Sequence, residues 1–330
     1  MFMANSLDDF YRENHSSLKE ITVFAVRFLY PDKMKHIRLL HNPGAGTTAH
    51  AEEKIIAKIE EMGFTCSYYS TKETDPDNLV DDSADIIALA GGDGTVRKLV
   101  HQLLQRKMLD KRFPIGLIPY GTANNIARML KIDGTQDEII TRWKSQNIQR
   151  YDIAQVSGLK DQAFVMEGLG FGVFPKLIKR MKAMEQSDDP EQQLKQSLKQ
   201  LHEIISEYKG RECTITIDGE KYTGQYLMVE VMNTQSVGPN LNIAPAASIS
   251  DGLLDVVMVP VSQRQTLADY VHDRMVHGKD ELFFGIAVKG SDIKIEWSGR
   301  LLHADDQLVQ LKKPTTVRLS ARREIVEFLV

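Results

Sequence analysis

From Ile37 to about Arg150, short apolar runs alternate with amphipathic stretches. His36–Leu40, Thr65–Tyr69, Ile86–Ala90 and Ile115–Ile118 read as strands. Between them, Ile55, Ile56, Ile59 and Met62 share one helix face that stops at Gly63, and Val96, Leu99, Val100 and Leu103 make a second. Ile126, Ala127, Met129 and Leu130 make a third. Three strand–loop–helix units put three loops at the carboxyl ends of parallel strands, where open α/β sheets bind ligands.

After Tyr151 the texture changes to mainly β. Cys213–Ile217 alternates, and Tyr226–Met232, Leu254–Val259, Ile293–Trp297 and Thr316–Leu319 read as strands. Two helices interrupt them. One carries Leu194, Leu198, Leu201, Ile204, Ile205 and Tyr208; the other starts at a cap-like Ser262 and carries Leu267, Tyr270 and Val271. The expected divisions are an N-terminal extension over 1–33, an α/β domain over 34–150, and a β domain over 151–319. The apolar run Ile21–Val26, broken at Pro31-Asp32, leaves the extension open between a packed element and a loose lead.

Composition narrows the class. The net charge of −4 gives no electrostatic reason to expect nucleic acid. Cys66 and Cys213 lack metal-type spacing and suit a reducing cytoplasm. No apolar stretch reaches the ~18 residues of a membrane span, and the N-terminus lacks a secretory pattern. There is no HExxH and no GxSxG, so zinc-protease and serine-hydrolase chemistry have no support.

The chemistry concentrates in Gly91-Gly92-Asp93-Gly94-Thr95, between the strand Ile86–Ala90 and the helix after it. Glycines let backbone approach a ligand and aim N–H groups at it, and the helix N-terminus behind them favours phosphate. A carboxylate there repels phosphate. Asp93 makes sense if it takes a proton from an attacking hydroxyl or holds a metal beside the phosphate.

Three loops in order, Asn42-Pro43-Gly44-Ala45-Gly46, Gly91–Thr95 and Gly121-Thr122-Ala123-Asn124, resemble those of the bacterial diacylglycerol kinase-like lipid kinases. That family is similar to sphingosine and ceramide kinases and more distantly to NAD kinases. Gly168–Gly172 and the stretch from Ala244 to Asp255 extend the likeness. The resemblance implies an N-terminal nucleotide-binding three-layer α/β domain and a C-terminal β-sandwich that takes the lipid. The active site would lie between them, and the chain end, 320–330, would return to the first domain. It also implies transfer of the ATP γ-phosphoryl group to a lipid hydroxyl with magnesium, on a substrate of the diacylglycerol type. The protein would be cytoplasmic, with peripheral contact at the inner membrane face; a homodimer is compatible with this.

By the same resemblance, ATP contacts fall on Asn42, Gly44, Ala45, Gly46, Thr71, Gly91, Gly92, Gly94, Thr95, Gly121, Thr122 and Asn124. Asn124 either reads a nucleotide edge or holds its loop by capping the next helix. No Walker lysine follows the glycines, so phosphate charge falls to amides, metal and a distant base. Ser248, Asp251 and the Leu253 carbonyl match a family magnesium site; a hydrogen-bonded turn would use the same residues. The chain departs from the family twice. Asn125 stands where many relatives carry an acid, and Gln307 stands where the family has a glutamate that accepts, or helps accept, the proton. An amide cannot be a general base. Either Asp93 suffices, or Asp305 or Asp306 takes the role, or the kinase is weak. NAD phosphorylation and nucleotide or lipid binding without catalysis are the rival readings. Lys176, Lys179, Arg180 and Lys182 form the basic side of an amphipathic helix, a solvated face or one that meets anionic lipid.

Overall fold

The computed structural model describes residues 34–44, 51–73, 79–107, 110–121, 123–185, 189–278, 283 and 285–330. The expectations for residues 1–33, for Ala45 and Gly46, and for Thr122 lie outside the described residues.

The first half runs β1 (His36–His41), α1 (Ala51–Glu61), β2 (Thr65–Ser70), β3 (Ile86–Gly91), α2 (Asp93–Gln105), β4 (Ile115–Pro119), α3 (Asn125–Met129) and α4 (Gln136–Arg142). Its strands lie in the order β2-β1-β3-β4, all parallel. Every residue of β3 is buried, as expected of a parallel strand covered on both faces. Ile55, Ile59, Val96, Leu99 and Trp143 supply that cover. Gly116 in β4 makes room for the Trp143 ring, whose nearest atoms lie 2.7 Å from where a Cβ would stand.

The second half is built from β5 (Ile148–Ser157), β6 (Phe164–Val165), β7 (Gly168–Gly172), α5 (Val173–Lys182), α6 (Pro190–Glu207), β8 (Arg211–Ile217) and β9 (Glu220–Met232). There follow β10 (Ser236–Val237), β11 (Leu241–Asn242), β12 (Leu254–Pro260), α7 (Arg264–His277), β13 (Ile286–Gly290), β14 (Asp292–Trp297), β15 (Leu301–Ala304), β16 (Gln307–Gln310) and β17 (Thr316–Leu329). Phe171, Val229, Val231, Ile295, Trp297 and Val317 fill the interior of the sandwich. On the other side of β9, Leu227 and Met228 pack with Leu177, Leu201, Leu267 and Val271 from the three helices. Burial on both faces explains why the second half of β9 is an unbroken buried run.

One strand joins the halves. The start of β17 pairs antiparallel with β14, and its end pairs parallel with β4 through Phe328–Ile115 and Leu329–Gly116. β5 runs antiparallel beside it throughout, with a bulge between Arg322 and Val326 where Glu324 takes a left-handed φ of 55°. The carboxylate of Asp152 in β5 fastens that bulge. It accepts the Glu324 N–H and the Gly252 N–H, each at 2.7 Å. Strand β5 itself was not anticipated from the sequence.

The helix expected to begin at Ser262 begins at Arg264. Ser262 lies inside a 3-10 turn, Val261–Gln263, and no side chain caps the helix. The start is fixed by Arg264, whose guanidinium donates to the carbonyls of Ile205 and Tyr208 at the end of α6. Among the described residues, no helix is long and apolar enough to cross a membrane.

Candidate active site

The loops after β3 and β4 touch backbone to backbone. A Cβ at Gly121 would stand 2.7 Å from the Gly92 Cα, so neither position tolerates a side chain without parting the loops. A Cβ at Gly91 would meet the Thr95 hydroxyl at 2.9 Å. The first loop joins them: Asn42 Nδ2 donates to Thr95 Oγ1 at 3.3 Å, and Asn42 Oδ1 accepts the Gly44 N–H at 3.1 Å. Thr71 is held alongside by its N–H to the His41 carbonyl, at 2.8 Å.

Asn124 spends its side chain inside its own loop. Its Oδ1 accepts the Gly121 N–H at 2.8 Å and its Nδ2 donates to the Gly121 carbonyl at 2.6 Å. The cap on α3 comes instead from Asp93, whose carboxylate accepts the N–H groups of Asn125 at 2.9 Å and Ile126 at 3.1 Å. Thus Asp93 has a structural duty that the spacing did not disclose.

Asp305 is the turn residue between β15 and β16, at a left-handed φ of 51°. It accepts N–H groups from Met166, Glu167 and Gly168 at 2.8–3.3 Å, and pairs with Arg97 at 3.1 Å. An oxygen pair so occupied has little left for an incoming proton. Asp306 reaches the glycine-rich loop, its Oδ2 lying 3.4 Å from where a Gly94 Cβ would stand. Behind them is a fully buried pair, His303 Nε2 to Glu230 Oε2 at 2.8 Å, with His303 Nδ1 on the Asp305 carbonyl at 2.9 Å.

Glu167 was missed by the sequence reading, although a single acid inside the run Phe164-Val165-Met166-Glu167 is a signal that could have found it. Asn125 Nδ2 donates to its carboxyl at 2.6 Å. Burial, then the nearby charges of Asp93 and Asp305, push the Glu167 carboxyl well above the usual carboxylate range. Asp93 is also raised by burial, but two backbone donors oppose the shift. Burial thus disfavours charge on Glu167, Asp93 and Asp305 alike, and Glu167, offset by the Asn125 amide alone, is the carboxyl of this group that most favours its proton. A raised folded-state value means that Glu167 stabilises the fold fully below the ordinary glutamate range. That contribution is lost as pH rises toward the raised value, at up to about 1.4 kcal/mol per pH unit. Glu167→Gln, an isostere of the protonated acid, should remove that slope. Urea denaturation from pH 5 to 8.5 checks it, and an unchanged slope in the variant would contradict the assignment.

Two cavities lie at the start of α2, one against Thr95 and the other against Gly92–Gly94. One, of 440 Å³, is lined by Asn42, Thr71, Lys72, Thr95, Lys98 and Gln307 among others. The second, of 420 Å³, has an acid end of Asp93, Glu167, Asp305 and Asp306 and an apolar end of Phe174, Leu177, Ile178, Met232 and Val237. A groove of 550 Å³ shares Ala123, Leu177, Ile178 and Gly238 with it and continues past Met181 and Leu194, between α5 and α6. Gln307 thus lines the cavity of the first two loops, and Asp93 lines the other.

Ser248, Asp251 and Leu253 sit together on the turn before β12. Asp251 Oδ1 accepts the Leu253 N–H at 3.0 Å, and Oδ2 takes the Lys289 ammonium at 2.8 Å. Ser248 Oγ accepts the Ser250 N–H at 3.4 Å. Among the described residues, no group of three or more His, Cys, Asp or Glu side chains is arranged to hold a metal. On α5, Leu177 and Met181 are buried while Lys176, Lys179 and Lys182 are exposed; Arg180 pairs with Glu203 and Glu207 of α6 at 3.5 and 3.4 Å.

Residues 36–156 match the family described as Diacylglycerol kinase catalytic domain. Residues 179–323 match the YegS C-terminal NAD kinase beta sandwich-like domain. A diacylglycerol kinase of Bacillus subtilis is 29% identical over 255 residues, 72% of this chain and 77% of that protein. One of Staphylococcus aureus is 22% identical over 249 residues, covering 72% of this chain and 74% of its own length. A solved diacylglycerol kinase from Bacillus anthracis superposes with TM-score 0.67 at 22% identity, over 90% of this chain and 97% of that one. An NAD kinase from Archaeoglobus fulgidus, solved in complex with ATP, shares the fold at TM-score 0.50 and 12% identity, over 89% and 93% of the two chains. Matched in both its halves, the chain belongs to the bacterial diacylglycerol kinase-like family of phosphotransferases.

Proposed function

We propose that the chain transfers the γ-phosphoryl group of ATP to the hydroxyl of a diacylglycerol-like lipid. The observation that carries this reading is the pair of cavities at the start of α2, one lined by Thr95 with the basic Lys72, Arg97 and Lys98, the other by Gly92–Gly94 with acids at one end and apolar side chains at the other. ATP occupies the basic cavity, with its phosphates reaching the neighbouring loops around Gly44, Gly91–Thr95 and Gly121. Lys72 and Lys98, which line that cavity, supply the positive charge that a Walker lysine gives elsewhere. Asn124 keeps the third loop in shape.

The lipid hydroxyl enters the acid end of the second cavity, and its acyl chains follow the groove between α5 and α6. Asp93 orients the hydroxyl and takes its proton as the oxygen attacks the γ-phosphorus; ADP leaves. Burial and the neighbouring carboxylates favour the protonated form of Glu167, which spares Asp93 a further negative charge beside it. Asp305 positions the segment Met166–Gly168 under the cavity. Magnesium arriving with ATP would neutralise phosphate charge, and Asp93 and Asp306, both at Gly94, are the carboxylates placed to hold it. In this arrangement Gln307 belongs to the nucleotide side and does no proton chemistry.

The groove gives a direct test. Ile178 lines both the acceptor cavity and its apolar continuation. Ile178→Glu should raise the KM for a short-chain diacylglycerol about tenfold or more and leave the KM for ATP unchanged. Equal effects on both, with folding intact, would place the lipid elsewhere.

A further inference from the structure

The turn Ala246–Asp255 carries a cation already, and it is a side chain. Lys289 in β13 lies directly opposite Asp255 in the antiparallel pairing with β12. Its ammonium donates to the Ala246 carbonyl at 2.8 Å and to Asp251 Oδ2 at 2.8 Å, and pairs with Asp255 Oδ2 at 3.4 Å. An ammonium has three donors and no acceptor, so two hydrogen bonds and this ion pair engage the whole group. The Leu253 N–H holds the remaining Asp251 oxygen. A magnesium ion needs about six oxygens near 2.1 Å in octahedral geometry, and with the Lys289 ammonium seated on Asp251 Oδ2 a dication at that oxygen would meet a like charge at hydrogen-bonding range.

The position of this turn gives the contact its meaning. Gly252, at its tip, donates its N–H to Asp152 in β5. Gly252 has a φ of +76°, and a Cβ there would come 2.7 Å from the Arg323 side chain of β17. The turn is therefore packed against β17, which joins the halves of the molecule, and against β5 beside it. We propose that the Lys289 ammonium is the built-in cation of this turn, standing where the family resemblance puts a divalent ion, so that the junction holds its shape without metal. Magnesium is then required only with the nucleotide. The proposal draws on the kinase reading for its significance alone. A melt without nucleotide reads the junction, whereas phosphate transfer reads the cleft, so either can fail without the other.

The test uses the full chain, stripped with EDTA and free of nucleotide. Wild type should melt at the same temperature with and without millimolar magnesium. Lys289→Met should melt about 2–4 °C lower for each kcal/mol lost, recover when magnesium is added, and bind one manganese ion by electron paramagnetic resonance. Adding Asp251→Ala to that variant should abolish both recovery and binding. The proposal is overturned if Lys289→Met melts like wild type, or if magnesium does not repair its loss. Should Lys289→Met fail to fold, wild type decides: manganese bound without nucleotide and lost in Asp251→Ala overturns the proposal, and its absence upholds it.

Discussion

Asp93→Asn should lower phosphoryl transfer by about 10²–10⁴-fold, the range over which a positioned general base contributes. Nucleotide affinity should be nearly unchanged, because the donors aimed at phosphate are loop amides and the lysines of the neighbouring cavity. Melting should fall as well. The carboxylate also caps α3 through the Asn125 and Ile126 N–H groups. An asparagine keeps one acceptor oxygen and turns an NH2 toward the other donor, so a loss of about 1–2 kcal/mol is expected. Asp93→Ser, which keeps capping ability without a carboxylate, should show the same loss of rate. Turnover above about a tenth of wild type in either folded variant, a barrier change under ~1.4 kcal/mol, would remove Asp93 from the chemistry.

Asp152→Ala should give the largest loss of stability. The side chain is fully buried and accepts two backbone N–H groups from segments far apart in sequence, at Gly252 and Glu324. Truncation leaves the buried Gly252 donor and the part-buried Glu324 donor without partners, the first costing about 1–3 kcal/mol and the second less. The total of about 2–4 kcal/mol falls on the junction, so the two halves should lose their common transition. Calorimetry would show it as splitting or broadening of the unfolding endotherm. Asp152→Asn should lose less, since one acceptor oxygen remains. A single sharp transition within a degree of wild type in Asp152→Ala would mean that the bulge and turn are held by other contacts.

These two residues mark the limit of what the chain discloses before it folds. Asp93 stands out because local order is visible: an apolar strand, glycines, then an amphipathic helix, all within a few residues of it. Asp152 is one acid among many in sequence, and its partners lie 100 and 172 positions away. Lys289 is hidden for the same reason, since its role comes from strand pairing with Asp255 and not from its neighbours in the chain. Glu167 lies between. A charge within an apolar run was there to be noticed, but only the fold shows that Asn125 faces it. The departure at Asn125 alone suggested a lost charge; the structure places an acid against that amide from the other half of the molecule.

Gly121 illustrates a different limit. The glycine-rich loops were read as cradles for phosphate, which explains exposed amides. The structure adds that Gly92 and Gly121 also permit the two loops to touch, so a methyl group at either would part the loops. Sequence pattern gives the glycines one reason to be there, and packing gives them a second.

The central claim is that phosphate moves from ATP to a lipid hydroxyl in the cleft beside Asp93. The most direct measurement gives the purified protein γ-labelled ATP and magnesium with a total lipid extract in one tube and NAD in another, followed by phase separation and chromatography. Label in a phospholipid of the organic phase, absent with Asp93→Asn, is the expected result. Label on NAD, or an organic phase that stays unlabelled while the protein binds ATP, would contradict it.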